Sequence, residues 1–125
     1  MKTIYDMNRL EGIPAFSPPH HTKTTDRKLV FDQMGAKAMA IWSGEIEPGG
    51  VAEEHLHEEM EQAFYIIDGE CDFKLGEEMR RLGPGHLIYI PPKVSHRVTS
   101  TGKTSLKLLI IMAPPPPSMD AWQKK

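Results

Sequence analysis

The chain has 125 residues, 39% of them hydrophobic and 26% charged, the composition of one ordinary globular domain with little room for a second. Fifteen basic and seventeen acidic residues are interleaved to a formal charge of −2, so no basic stripe is offered to a nucleic-acid backbone. No apolar run reaches the ~18–20 residues that cross a bilayer. The start, Met1-Lys2-Thr3-Ile4-Tyr5-Asp6, lacks the apolar stretch of a secretion signal, and the single cysteine, Cys71, excludes an internal disulfide. These features predict a cytoplasmic protein with neither a membrane nor a nucleic-acid partner.

Residues 1–26 read as an N-terminal arm, because Pro14, Pro18 and Pro19 discourage regular structure; residues 6–10 have room for one helical turn. A barrel domain is expected over residues 27–113. Residues 27–31 read as a strand, and 36–47 as a long one with Met39, Ile41 and Trp42 as packing residues. Pro48-Gly49-Gly50 turns the chain. Residues 64–67 are a continuous apolar run, and Asp68-Gly69 is a hairpin signal after which Cys71–Leu75 is expected to pair back. Gly76-Glu77-Glu78 turns again. Gly83-Pro84-Gly85 precedes a strand over 86–90, which Pro91-Pro92 ends, and 94–99 and 105–112 complete about eight or nine short strands. Eleven prolines and ten glycines are spread between these runs rather than massed, which fits an all-β antiparallel barrel or jelly roll that leaves few bare edges. Residues 114–125 form a proline-rich C-terminal tail, stiff and extended over the four prolines 114–117, with a last helical turn expected over 118–124.

Six histidines occupy positions 20, 21, 55, 57, 86 and 96. In His55-Leu56-His57 the two imidazoles would share a face if they lie on a strand, about 6.5–7 Å apart along the chain. Imidazoles so placed can converge on one metal ion. A lone His-x-His is a weak signal, since most such pairs are surface residues. Two features strengthen it: the polar stretch Glu58-Glu59-Met60-Glu61-Gln62 followed by an apolar run, and a strand-turn-strand unit that ends on His96.

With these spacings the sequence resembles the cupin superfamily. Gly49, five residues, His55-Leu56-His57, four residues, Gln62, six residues and Gly69 match the family's first motif. Gly85, Pro91-Pro92-Lys93, His96 and Ser100 match the second, and the resemblance covers about residues 36–113. It implies a double-stranded β-helix, or jelly-roll, barrel. It also implies one divalent transition metal (Fe, Mn, Ni, Co or Zn) held by His55, His57, His96 and a fourth side chain. Three positions depart from the pattern. Lys93 stands for the turn glycine and must adopt that turn or alter it. Ser100 replaces Asn. Gln62 stands where Glu is usual, although cupins with Gln as fourth ligand exist. The spacing to Gly69, and the face shared with Phe64 and Ile66, favour Gln62. Glu61 is the alternative, and it is also the candidate general base. Gln62 would leave the site at the full charge of the metal, whereas Glu61 would reduce it by one. Three imidazoles and one oxygen leave coordination positions open, which suits transition metals better than Ca or Mg.

Phe64, Ile66 and Val98 are expected to line a substrate pocket. His86, Arg97 and the pair His20-His21 read as solvated, with reach into a site as the alternative for that pair, Cys71 as a buried inert thiol, and Tyr65 and Tyr89 as packing residues. Glu53, Glu54, Glu58 and Glu59 read as a solvated loop. The cupin resemblance implies a small-molecule ligand but spans many activities. A metal-dependent enzyme of isomerase or lyase type, acting on a small oxygenated or carboxylate-bearing metabolite, is the first expectation. An Fe-dependent dioxygenase and a non-catalytic binding module are the alternatives. The arm and the long first strand resemble the parts by which small cupins exchange strands, so a homodimer is expected.

Overall fold

A computed structural model describes residues 3–116. Ten strands form: β1 (Ala15–Phe16), β2 (Thr24–Val30), β3 (Ala40–Ile46), β4 (Val51–His55), β5 (Glu61–Asp68), β6 (Cys71–Leu75), β7 (Glu78–Leu82), β8 (Leu87–Ile90), β9 (His96–Ser100) and β10 (Leu106–Ala113). They build a six-stranded sheet, ordered β1-β2-β3-β10-β5-β8, and a four-stranded sheet, ordered β4-β9-β6-β7. Every ladder is antiparallel. The chain changes sheet at each turn from β3 to β7 except the β6–β7 hairpin, and again from β7 to β8, β8 to β9 and β9 to β10. The result is a jelly-roll barrel. Alternation within the strands sends one face inward, where Phe64, Ile66, Phe73, Ile90, Val98 and Leu106 are buried together. The neighbourhood of Trp42 is a second, smaller cluster: Trp42 packs with Ala40, Met60 and Met112, and the Phe16 ring meets it edge-on at 5.0 Å.

Several expectations change. The strand placed at 27–31 begins at Thr24, and residues 20–23 already bond to β4 through Thr22 and Val51. The boundary at residue 27 therefore falls inside β2, and the arm packs on its own barrel. Tyr5 Oη donates to the Leu29 carbonyl at 2.5 Å, and Arg27 Nε donates to the Ile13 carbonyl at 3.0 Å. The long strand at 36–47 is shorter, because a 3-10 turn (Asp32–Met34) and a bend precede Ala40; Met39 is consequently 43% exposed. Asp68-Gly69 is not a hairpin. β6 pairs with β7 and β9, and Gly69, at φ 84°, carries the chain between sheets with its Cα hydrogens against Ser105 and Leu106 backbone, where a Cβ would lie 2.6 Å from the Ser105 oxygen. Tyr65 and Tyr89 point outward. Arg97 is exposed, and Cys71 is fully buried with its thiol pushed up to about 11 by desolvation. Glu53 and Glu54 lie on β4 rather than in a loop, with Glu54 Oε1 2.9 Å from Lys74 Nζ. The proposed helical turn at 118–124 lies outside the described residues. Among the described residues no helix is long and apolar enough to cross a membrane.

Lys93 adopts the left-handed turn that its position demands, at φ 68°, and its N–H donates to the His57 carbonyl at 2.7 Å. A non-glycine residue in that region costs about 1–2 kcal/mol, partly offset by the extra chain entropy that glycine loses on folding. Lys93→Gly is therefore expected to stabilise the protein by about 0.5–1 kcal/mol in denaturant unfolding. An unchanged or lowered midpoint would contradict the strain.

Candidate metal centre

His55 ends β4 and lies directly opposite His96, the first residue of β9, in the antiparallel ladder. Directly opposed residues hold their Cβ atoms about 4.5–5.5 Å apart, so the pairing itself brings two imidazoles together. Their ring centroids are 4.3 Å apart. His57 is not on the strand. It sits in the crossing from β4 to β5, two residues past the end of β4, and the Lys93 N–H holds its carbonyl. His57 reaches the other two rings at 5.0 and 5.8 Å between centroids. One ligating atom from each of His55, His57 and His96 lies within 4.8 Å of the others. Atoms bound to one ion at about 2.1 Å are about 3–4 Å apart, so small side-chain rotations close the set.

The hydrogen bonds prepare the rings for a metal. His55 Nδ1 lies 2.6 Å from the Glu53 carbonyl, and His96 Nδ1 lies 3.2 Å from the Val94 carbonyl. A carbonyl only accepts, so each Nδ1 carries the proton and each Nε2 presents a lone pair. Burial, and then the nearby His55, lower the His96 pKa to about 4, so His96 is neutral near pH 7, the form that ligates. His96 Nε2 is buried without a hydrogen-bond partner, and so is Gln62 Oε1. Two buried acceptors without donors are costly as they stand. A cation bound among them satisfies both, so the residues present fit a transition metal.

The two fourth-ligand candidates separate by strand alternation. Gln62 is 3% exposed, faces inward and lines the cavity beside His55 and His96. Glu61 faces outward, where it accepts a 2.7 Å hydrogen bond from Tyr89 Oη. Glu61 therefore faces away from this cavity, since neighbouring residues of a strand point to opposite faces. Phe64 and Val98 line the cavity. Ile66 does not: it lies two residues further along β5, fully buried in the core. His86 is exposed and its Nδ1 stays with the Gly83 backbone.

The cavity is narrow, with a volume of about 30 Å³ open to a water-sized sphere. Trp42, Phe64, Leu108 and Ile110 make apolar walls beside the polar end. Two further titratable residues line it: His21, read chiefly as solvated, and Asp26, which the sequence reading did not assign. His21 bridges to Ala52 on β4, places its ring 6.0 Å from His55 and ties its Nδ1 to the Pro19 carbonyl at 2.7 Å. Burial lowers its pKa. Its contacts are long-range, so the pair His20-His21 gave no spacing to read. Asp26 escapes the sequence reading because the strand expected over 27–31 starts three residues after β2 does. With the strand begun at Thr24, alternation places an acid at an inward position.

The cupin domain profile matches residues 42–112, more than half of the chain. The chain belongs to the cupin family. It is 36% identical over 61 residues to an uncharacterized protein of Methanocaldococcus jannaschii, a match that covers 49% of this cupin and 49% of that relative's length. Among solved structures, the polyketide cyclase RemF from Streptomyces resistomycificus superposes with a TM-score of 0.79 at 24% identity, over 94% of this chain and 82% of RemF. A predicted oxalate decarboxylase from Thermotoga maritima gives a TM-score of 0.76 at 22% identity, over 84% of this chain and 96% of that one. At these identities the superpositions show a shared fold.

Desolvation raises the pKa of Asp26 from 3.8 to about 8. The sign of its effect follows. The unfolded carboxyl ionises above about pH 4, while the folded one keeps its proton to about pH 8, so stability is full below pH 4 and falls as pH rises through that window. In metal-free protein, Asp26→Asn should raise the unfolding free energy at pH 7–8 by on the order of a few kcal/mol, and Tm with it, with no gain at pH 4. A gain independent of pH in thermal unfolding would contradict this.

Proposed function

We propose that this cupin is a metal-dependent enzyme of isomerase or lyase type that acts on a small oxygenated or carboxylate-bearing metabolite. The observation that supports it most is the opening of a donor set of three histidines and a neutral glutamine onto an apolar cavity. His55, His57, Gln62 and His96 would hold one ion of Fe, Mn, Ni, Co or Zn. Such an ion supplies Lewis acidity toward a carbonyl or carboxylate oxygen. Gln62 adds no negative charge, so the ion keeps its full attraction for an anionic or enolising substrate. Trp42, Phe64, Val98 and Ile110 exclude water and seat the carbon part of the ligand. RemF is a polyketide cyclase, and this chain shares its fold over nearly its whole length.

Protein loaded with zinc, nickel or manganese should speed deuterium exchange at the methyl group of pyruvate by about 100-fold over EDTA-treated protein, read by NMR. Iron-loaded protein should take up no oxygen with a catechol, a thiol or a diketone. Oxygen uptake with any of these would replace this reading by the Fe-dependent dioxygenase. Absence of both reactions would leave a binding module.

A homodimer also belongs to this proposal, with a second copy on the outer face of β5 and β8. Tyr65, Ile67, Leu87 and Tyr89 form an apolar surface there, and Leu87 is 67% exposed. The opposite sheet presents Asp72, Lys74, Arg81 and Arg97 instead. Light scattering should return twice the 14.1 kDa chain mass, and Leu87→Glu should return the single mass. A monomeric wild type would overturn it.

A further inference from the structure

Across the cavity from the histidines lies a carboxyl with an unsatisfied oxygen. Asp26 faces inward from β2, is 3% exposed, and its Oδ1 has no hydrogen-bond partner. Its cross-strand neighbour on β3 is Gly44, and a Cβ at position 44 would lie 3.1 Å from Asp26 Oδ1 and 2.9 Å from Ile110 Cδ1. The glycine thus leaves the space in which the carboxyl sits. The same cavity is lined by Trp42, Ile46, Gln62 and Leu108 of the six-stranded sheet that carries Asp26 and by His55 and His96 of the facing four-stranded sheet. Among the described lining residues there is no lysine or arginine to pair with it.

Core filling does not account for such a group. A buried polar atom without a partner is costly, and an apolar side chain of similar volume would remove that cost. A carboxyl kept in an apolar cavity that also holds a metal-ligating set has a use when a ligand brings it a partner.

We propose that Asp26 is a substrate-contacting residue, hydrogen-bonded to one oxygen of a small ligand whose second oxygen faces His55, Gln62 and His96. The inference rests on the metal-dependent reading of this site and narrows it to ligands with two oxygen functions on a short carbon stem, a hydroxy ketone being the simplest. The stem lies along Trp42 and Ile110. A carboxyl at this position accepts from a hydroxyl in either charge state and, when protonated, also donates to a carbonyl oxygen.

The test uses the full chain loaded with zinc and three probes titrated by NMR: 4-hydroxy-2-butanone, 2-butanone, and imidazole as a probe of the metal alone. The wild type should prefer the hydroxy ketone over 2-butanone by about tenfold, and Asp26→Leu should bring that ratio to about one. Asp26→Asn, which still donates and accepts, should keep the ratio within about threefold of the wild type. Asp26→Ala serves in place of the leucine variant if the latter does not fold. Imidazole affinity should be the same in all variants. A ratio unchanged by Asp26→Leu or Asp26→Ala, or no preference in the wild type, overturns the proposal. A wild type that binds neither zinc nor imidazole overturns the metal-dependent reading instead.

Discussion

The antiparallel pairing of β4 with β9 is the constraint on which the site depends. It sets His55 against His96. Every other element of the site is held relative to that pair. The turn after β8 bonds the His57 carbonyl through Lys93 and leads directly into β9, so one short segment fixes two of the three histidines. β5 lies in the other sheet and carries Gln62 inward from the opposite wall. The candidate centre therefore forms only when both sheets close on each other, and an ion bound there would favour the closed barrel over the unfolded chain.

The barrel surrounds this cluster with two different environments. Backbone carbonyls of Glu53 and Val94 hold the ring protons of His55 and His96 and turn the free nitrogens toward one point. Beyond them the walls are apolar, which keeps His96 neutral and Asp26 protonated by the same desolvation acting on opposite charge types. A polar end and an apolar body in one narrow space favour a ligand that combines oxygen atoms with a short carbon frame.

Much of this was legible in the sequence, for physical reasons. Glycine and proline turns bounded the strands, and Cys71–Leu75 was placed to the residue because strong turns flank it. The spacing of His55, His57 and His96 identified the cluster. Lys93 in the glycine position foretold a strained turn, and its φ of 68° is that strain. Other features were not legible. β7 reads Glu-Met-Arg-Arg-Leu, with only Leu82 buried, so it has no apolar alternation to signal a strand. Asp68-Gly69 has the chemistry of a hairpin, yet which sheet receives the next strand is decided by long-range pairing with β9. The choice between Glu61 and Gln62 needed the register of β5 against β8 and β10, which turns on a whole sheet. His21 and Asp26 reach the cavity only because the N-terminal segment folds back on its own barrel.

The central claim is that His55, His57 and His96 bind one transition metal together with Gln62. Elemental analysis and X-ray absorption on protein purified without a histidine tag test it most directly, with Glu61→Gln and Gln62→Leu measured alongside. The account predicts one metal per chain in a shell of imidazole nitrogens plus oxygen, unaltered by Glu61→Gln and short of one oxygen in Gln62→Leu. Tag-free protein that takes up no transition metal, or a shell without imidazole, would contradict it.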